Sequence, residues 1–143
     1  RRIKRLGSQL FGYKPFPSYA GEVANKESIY RQTKFAYCYE NVANLPDYIS
    51  EKIFDCFFGG CVPVYWGSNT IQEHIPQTCF IDRRDFKDTE EVHSFLLSIN
   101  ENKYANYQAS ISNFLSSKKA IDFDTHTYVS IITNKILQDL RNE

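Results

Sequence analysis

Six residues in one stretch carry groups that could do chemistry together: Glu40, Asn41, Tyr48, Ser50, Glu51 and Lys52. They supply two carboxylates, an amide, a phenol, a hydroxyl and an ammonium. Where a helix begins, free backbone N–H groups favour an anion, and a lysine there adds positive charge. An acidic residue beside such a site can accept hydrogen bonds from a sugar diol, as acidic residues do for ribose in dinucleotide folds. Lys52 and Glu51 fit those two roles. A plainer reading is open: Ser50 and Glu51 decorate a first helical turn and Lys52 is solvated. On residue types alone the plainer reading is the stronger.

The surrounding pattern says what would position these groups. Phe35 to Glu40 is an aromatic-rich run with strand propensity. Asn41 to Asp47 holds turn formers, including Pro46. From Ile49 the period becomes helical, with Ile49, Ile53, Cys56, Phe57 and Gly60 on one face. Gly59 and Gly60 stop that helix, and Val62 to Trp66 resumes an extended pattern. Strand, helix, strand makes a βαβ unit with parallel strands and a right-handed crossover. The loop and the helix start then stand at the carboxyl edge of the sheet, where open α/β sheets bind ligands. Trp66, at the end of the second strand, is expected to bury its ring.

The ordered combination Glu40-Asn41, then Tyr48-x-Ser50-Glu51-Lys52, an apolar helix, and Pro63-Val64-Tyr65-Trp66-Gly67 resembles the α-1,3/1,4-fucosyltransferases, glycosyltransferase family 10. The family more often has Thr at the position of Ser50. Ile75-Pro76, Phe80-Ile81-Asp82 and Asp85-Phe86 extend the resemblance, which is clear from about Lys34 to Phe86. It implies an α/β fold: a Rossmann-like open parallel sheet with flanking helices, the C-terminal half of a GT-B type glycosyltransferase with two facing domains. It also implies GDP-fucose as donor, a glycan hydroxyl as acceptor, inversion at the anomeric carbon and no required divalent metal. Lys52 would contact phosphate, together with an arginine near the start of the chain: Arg2, the best match by its Arg2-Ile3-Lys4 context, or else Arg1 or Arg5. Glu51 would hold the ribose, Tyr48 and Asn41 would line the pocket, and Glu40 with Asn41 would lie near the fucose. The family's general base and acceptor-binding residues belong to an amino-terminal domain. The chain is therefore expected to act as a single donor-binding domain, a piece of a longer enzyme, inactive alone. Lys26 is similar to a family lysine, although a plain surface role fits it better.

The composition agrees. Lys+Arg and Asp+Glu are both 17 in 143 residues. That balance argues against a nucleic-acid binder despite the basic run Arg1 to Arg5. A hydrophobic fraction of 42% and an aromatic fraction of 15% suffice for one packed core. No run is long enough to span a membrane. Cys38, Cys56, Cys61 and Cys79 lack metal-ligand spacing and read as reduced, as in a cytosolic setting. The resemblance adds a peripheral inner-membrane association for a bacterial-type enzyme, or the Golgi membrane for a eukaryotic one. In Asp82-Arg83-Arg84-Asp85, salt bridging between neighbours outweighs a metal-binding DxD reading.

The remaining pattern predicts a helix over Arg1 to Leu10 and a loop over Phe11 to Gly21. A short helix follows, capped by Asn25, then one over Asn69 to His74 ended by Pro76, and a strand over Cys79 to Ile81. Asp88 with Glu91 fits a capping box for a helix with Val92, Phe95, Leu96 and Ile99 inward. Tyr104, Tyr107, Ile111, Phe114 and Leu115 mark the next. A last helix from Asp124 or Thr125 carries Tyr128, Ile131, Ile132 and Leu140, and is expected to be under-packed, its partner surface lying on the other domain. Two further functions compete with the enzyme: a non-catalytic nucleotide-sugar or protein-binding module on the same fold, and a nucleic-acid contact through the basic run.

Overall fold

A computed structural model describes residues 21–141 of the chain. Three strands, β1 (Phe35–Tyr39), β2 (Val62–Trp66) and β3 (Ile81–Asp82), form one parallel sheet in the order β1-β2-β3. Around it stand α1 (Lys26–Tyr30), α2 (Glu51–Phe58), α3 (Ile71–His74), α4 (Thr89–Ser98), α5 (Glu101–Leu115) and α6 (Thr125–Arg141). The α/β class and the parallel βαβ unit are those expected. The predicted helix over Arg1 to Leu10, Arg2 with it, and the loop up to residue 20 lie outside the described residues.

The central crossover follows from local chemistry. Ser50 caps α2, its hydroxyl accepting from the Lys52 N–H at 3.4 Å. The apolar spacing then buries Ile53, Cys56 and Phe57 against the sheet. At the far end Gly60 takes φ +76°, a conformation L side chains rarely adopt, and turns the chain into β2. Gly59 is required for space instead: a Cβ there would collide with Tyr30 of α1.

β2 is buried from Val62 to Tyr65, as a strand covered on both faces should be. Pro63 sits in this central strand without breaking it. Val62 donates to Lys34 O at 2.9 Å, so Val62 faces β1 and Pro63 faces the other side. On that side pairing begins only at Val64 opposite Ile81, so the N–H that proline lacks has no ladder partner to lose.

Trp66 departs from expectation. The residue is 42% exposed, its ring packed edge-on against Tyr39 at 5.5 Å, while Tyr65 beside it is fully buried. Trp66→Ala should therefore cost only about 1 kcal/mol, the scale of one aromatic pair. Phe80→Ala, at a fully buried ring, should cost about 3–5 kcal/mol. Urea unfolding followed by circular dichroism checks both; a Trp66→Ala loss equal to that of Phe80→Ala would refute the ranking.

Beyond β2, Ser68 and Thr70 are engaged in side-chain hydrogen bonds and α3 starts only at Ile71. Gln77–Cys79 forms a 3-10 turn rather than the start of a strand, its last amide donating to Pro76 O, so β3 begins at Ile81. Asp88 caps α4 as expected, accepting from Glu91 N at 2.9 Å. The Glu91 carboxylate returns to Lys87 N, one residue ahead of the cap. α4 and α5 bring Val92, Ile111 and Phe114 into the core. α6, capped by Asp124, buries no residue; Tyr128, Ile131, Ile132 and Leu140 all face outward.

Candidate functional site

The carboxyl ends of β1 and β2 lead into two loops that face each other across the sheet edge. Glu40 follows β1 directly, and its backbone N–H donates to Trp66 O at 2.8 Å. Its carboxylate, with no side-chain exposure, lies under the start of α2. Oε1 accepts from Ser50 N at 2.9 Å and Oε2 from Ser50 Oγ at 2.7 Å. Ser50 thus donates to Glu40 while accepting from Lys52 N, a double role that needs a hydroxyl and that Thr could equally fill. Gly67 makes room for this arrangement, since a Cβ there would stand 2.5 Å from Glu40 Cγ and closer still to the Tyr65 hydroxyl.

Lys52 closes the network. Its ammonium donates to Tyr39 O and to Asn41 Oδ1, each at 2.9 Å, and lies 3.5 Å from Glu40 Oε2. The side chain is 29% exposed, so the charge is held over the end of β1 within reach of solvent. A long flexible side chain is thereby held in one place, so little ordering would remain to be done on binding. Glu51, next to it in the first turn, is exposed. Tyr48 is half-buried two residues ahead of the cap.

Four of the six residues from the sequence, Glu40, Asn41, Ser50 and Lys52, are therefore joined in one network, with Glu51 exposed beside it and Tyr48 on the loop leading into it. Glu40, however, does not front the cleft. Its carboxylate is taken up by Ser50 and the neighbouring ammonium, so it props the helix start and Lys52 rather than facing a ligand. Lys26 pairs with Asp55 of α2 at 3.0 Å on the surface, a bond that also raises the lysine's pKa. Asp82 is gripped by Arg84, with contacts from 2.6 to 3.1 Å, as the Asp82-Arg83-Arg84-Asp85 spacing suggested.

Other contacts of this edge carried no sequence signal. Tyr65 accepts from Ser68 N at 3.0 Å through its buried hydroxyl, and burial pushes the phenol up to about 12. Asp47 meets Thr70 and His74, whose hydrogen bonds hold its carboxyl below the usual range, His74 contributing most. These partners come from the next loop and helix, and no local motif announces them. The four cysteines are free and buried. Contact with Cys38, then burial, pushes the Cys56 thiol up to about 12, which makes it inert rather than nucleophilic. A cavity of about 580 Å³ lies elsewhere, between β3, α4 and α5, lined by Phe80, Phe86, Phe95 and Tyr107 among others.

Fold and edge together define a Rossmann-like α/β domain with a held cation, an exposed carboxylate and a capped helix start at its carboxyl edge. The family model described as glycosyltransferase family 10 (fucosyltransferase), C-terminal, matches residues 9–141, and the chain belongs to that family. It is 30% identical over 115 residues to the alpha-(1,3)-fucosyltransferase FucT of Helicobacter pylori, covering 80% of this chain and 23% of that protein. With the alpha-(1,4)-fucosyltransferase of Arabidopsis thaliana it shares 30% over 78 residues, 53% of this chain and 19% of the relative. A crystal structure of an alpha1,3-fucosyltransferase with GDP superposes with a TM-score of 0.56 at 30% identity, over 66% of this chain and 28% of that one. Another, with GDP-fucose, has the same fold, with a TM-score of 0.55 at 23% identity, over 80% of this chain and 42% of that one. The chain thus spans about a fifth to a quarter of the length of these curated relatives. No helix among the described residues is long and apolar enough to cross a membrane.

Proposed function

We propose that this chain is the donor-binding domain of an inverting α-1,3/1,4-fucosyltransferase that takes GDP-fucose without a divalent metal. The observation that carries the reading is the Lys52 ammonium, fixed by Tyr39 O and Asn41 Oδ1 at the start of α2 and still partly open. In this reading Lys52 and the first amides of α2 bind the diphosphate, and Arg2 adds a second positive charge. Glu51 receives the ribose hydroxyls, Tyr48 and Asn41 line the pocket, and Asn41 stands near the fucose. As the glycosidic bond to phosphate breaks, negative charge grows on GDP, and a cation already in place stabilises it without reorganisation. A divalent ion fills that role in metal-dependent transferases. Asp82, the strongest acidic candidate for such an ion, is committed to Arg84. The acceptor glycan would enter from an amino-terminal domain. The four free thiols fit a reducing compartment and support a cytoplasmic enzyme.

Calorimetry of GDP binding with EDTA present tests the reading. Binding should persist, and Glu51→Ala should weaken it by about 1 kcal/mol through lost ribose hydrogen bonds. Loss of all GDP binding on chelation would refute metal independence, and undiminished binding by Glu51→Ala would remove the ribose role.

A further inference from the structure

The loop that delivers Tyr48 and Ser50 to the site is fastened to the β2–α3 segment at Asp47. This residue adopts φ +61°, a left-handed conformation that is uncommon outside glycine and for which Asp and Asn are several-fold enriched. Its N–H points at two hydroxyls, Thr70 Oγ1 at 2.9 Å and Ser68 Oγ at 3.1 Å. Its Oδ1 accepts from Thr70 Oγ1 at 2.8 Å and lies 2.9 Å from His74 Nε2. The second anchor, Asn44, donates to Gly67 O at 2.9 Å. Ser68 is buried and itself donates through its backbone to the buried Tyr65 hydroxyl. A continuous path therefore runs from the core at Tyr65, through Ser68 and Thr70, to the residue that precedes Tyr48.

We infer that Asp47, Thr70 and His74 are positioning residues for donor binding: a clamp that presets the Asn41–Ile49 loop. The inference rests on the reading of this edge as the GDP site. None of the three touches the network of Glu40, Ser50 and Lys52, so their effect must pass through the loop. Asp47 is also largely exposed, and exposed pairs of this kind contribute little to global stability. What the clamp changes is ordering. A loop already held has less freedom to lose when a ligand arrives, and that difference appears in affinity.

GDP titrations of the chain in a calorimeter at 10 °C, well below melting, separate this role from general destabilisation. Asp47→Ala should weaken GDP binding about three- to tenfold, with a melting shift too small to account for it. Thr70→Val should do the same, and the double variant should be no worse than either single one, since both open one clamp. Asp47→Asn tolerates the left-handed backbone and keeps an acceptor, so it should recover part of the loss. Amide exchange over residues 44–50 should quicken in Asp47→Ala without ligand. Val92→Ala, a core truncation in α4, should lower the melting temperature by several degrees and leave GDP affinity unchanged. If the wild-type chain binds GDP and the clamp variants bind it equally well, the clamp is wrong and the site stands. The clamp is equally wrong if the losses of the two single variants add, or if Val92→Ala weakens binding as much. If the wild-type chain binds no GDP, the proposed site fails and the clamp with it.

Discussion

Replacing Glu40 with alanine should lower the melting temperature by roughly 12 °C and strip the chain of GDP binding. The carboxylate has no side-chain exposure and accepts from both Ser50 N and Ser50 Oγ, with the Lys52 ammonium nearby. Hydrogen bonds to a charged group contribute about 1.5–3 kcal/mol each, but these share one carboxylate and are not additive. We therefore expect a total near 3 kcal/mol, at about 4 °C per kcal/mol for a chain of this size. The amide of Ser50 would lose its partner at the sheet edge, α2 would lose the support of its cap, and Lys52 would lose its nearest carboxylate. Glu40→Gln keeps an acceptor for the amide and should cost only about 1 kcal/mol. Lys52→Ala isolates the other half of the pair. It should weaken GDP binding by about 1–3 kcal/mol. It should also destabilise the fold, because the buried Glu40 is left without its cation. Thermal melts and GDP titrations on the three variants decide the matter. A Glu40→Ala variant that melts like wild type and binds GDP would show that the carboxylate is dispensable.

Residues 1–143 by themselves should bind GDP-fucose and transfer no fucose to any acceptor. An inverting transfer needs a general base that takes the acceptor's proton as the hydroxyl attacks, and it must stand opposite the departing GDP. Among the described residues, the carboxylates at the proposed donor edge are ill placed for this. Glu40 is buried and occupied, Asp47 is held by Thr70 and His74, and Glu51 lies beside Lys52, on the side where GDP would depart. Holding donor and acceptor together supplies roughly 7–11 kcal/mol of barrier reduction, and a single donor domain forgoes that as well. Radiolabelled transfer to lactosamine-type acceptors at high protein concentration is the measurement, with slow release of free fucose as the expected background. Efficient transfer would place the base within these 143 residues.

The two expectations draw on different depths of information. The sequence alone determined the βαβ unit, because its signals are local: a period change at Ile49, a hydroxyl cap at Ser50, a glycine stop at Gly60, and a continuous apolar run in β2. It also placed Asn41, Glu51 and Lys52 at one sheet edge, since a helix following a parallel strand must start there. Tertiary structure decided what each group faces. Glu40 reads as a cleft carboxylate in sequence; burial under α2 makes it a prop, and only the packing of helix on strand shows which way it points. Tyr65 and Trp66 are adjacent aromatics in a strand buried on both faces, where alternation carries no information about the point at which burial ends. Asp47 meets Thr70 and His74, 23 and 27 residues away, only because its loop converges with the Thr70 turn and the short helix α3 at the end of a parallel sheet. Hydrogen bonds across such separations depend on chain crossing rather than on propensity, so they become visible only once the strands are laid side by side.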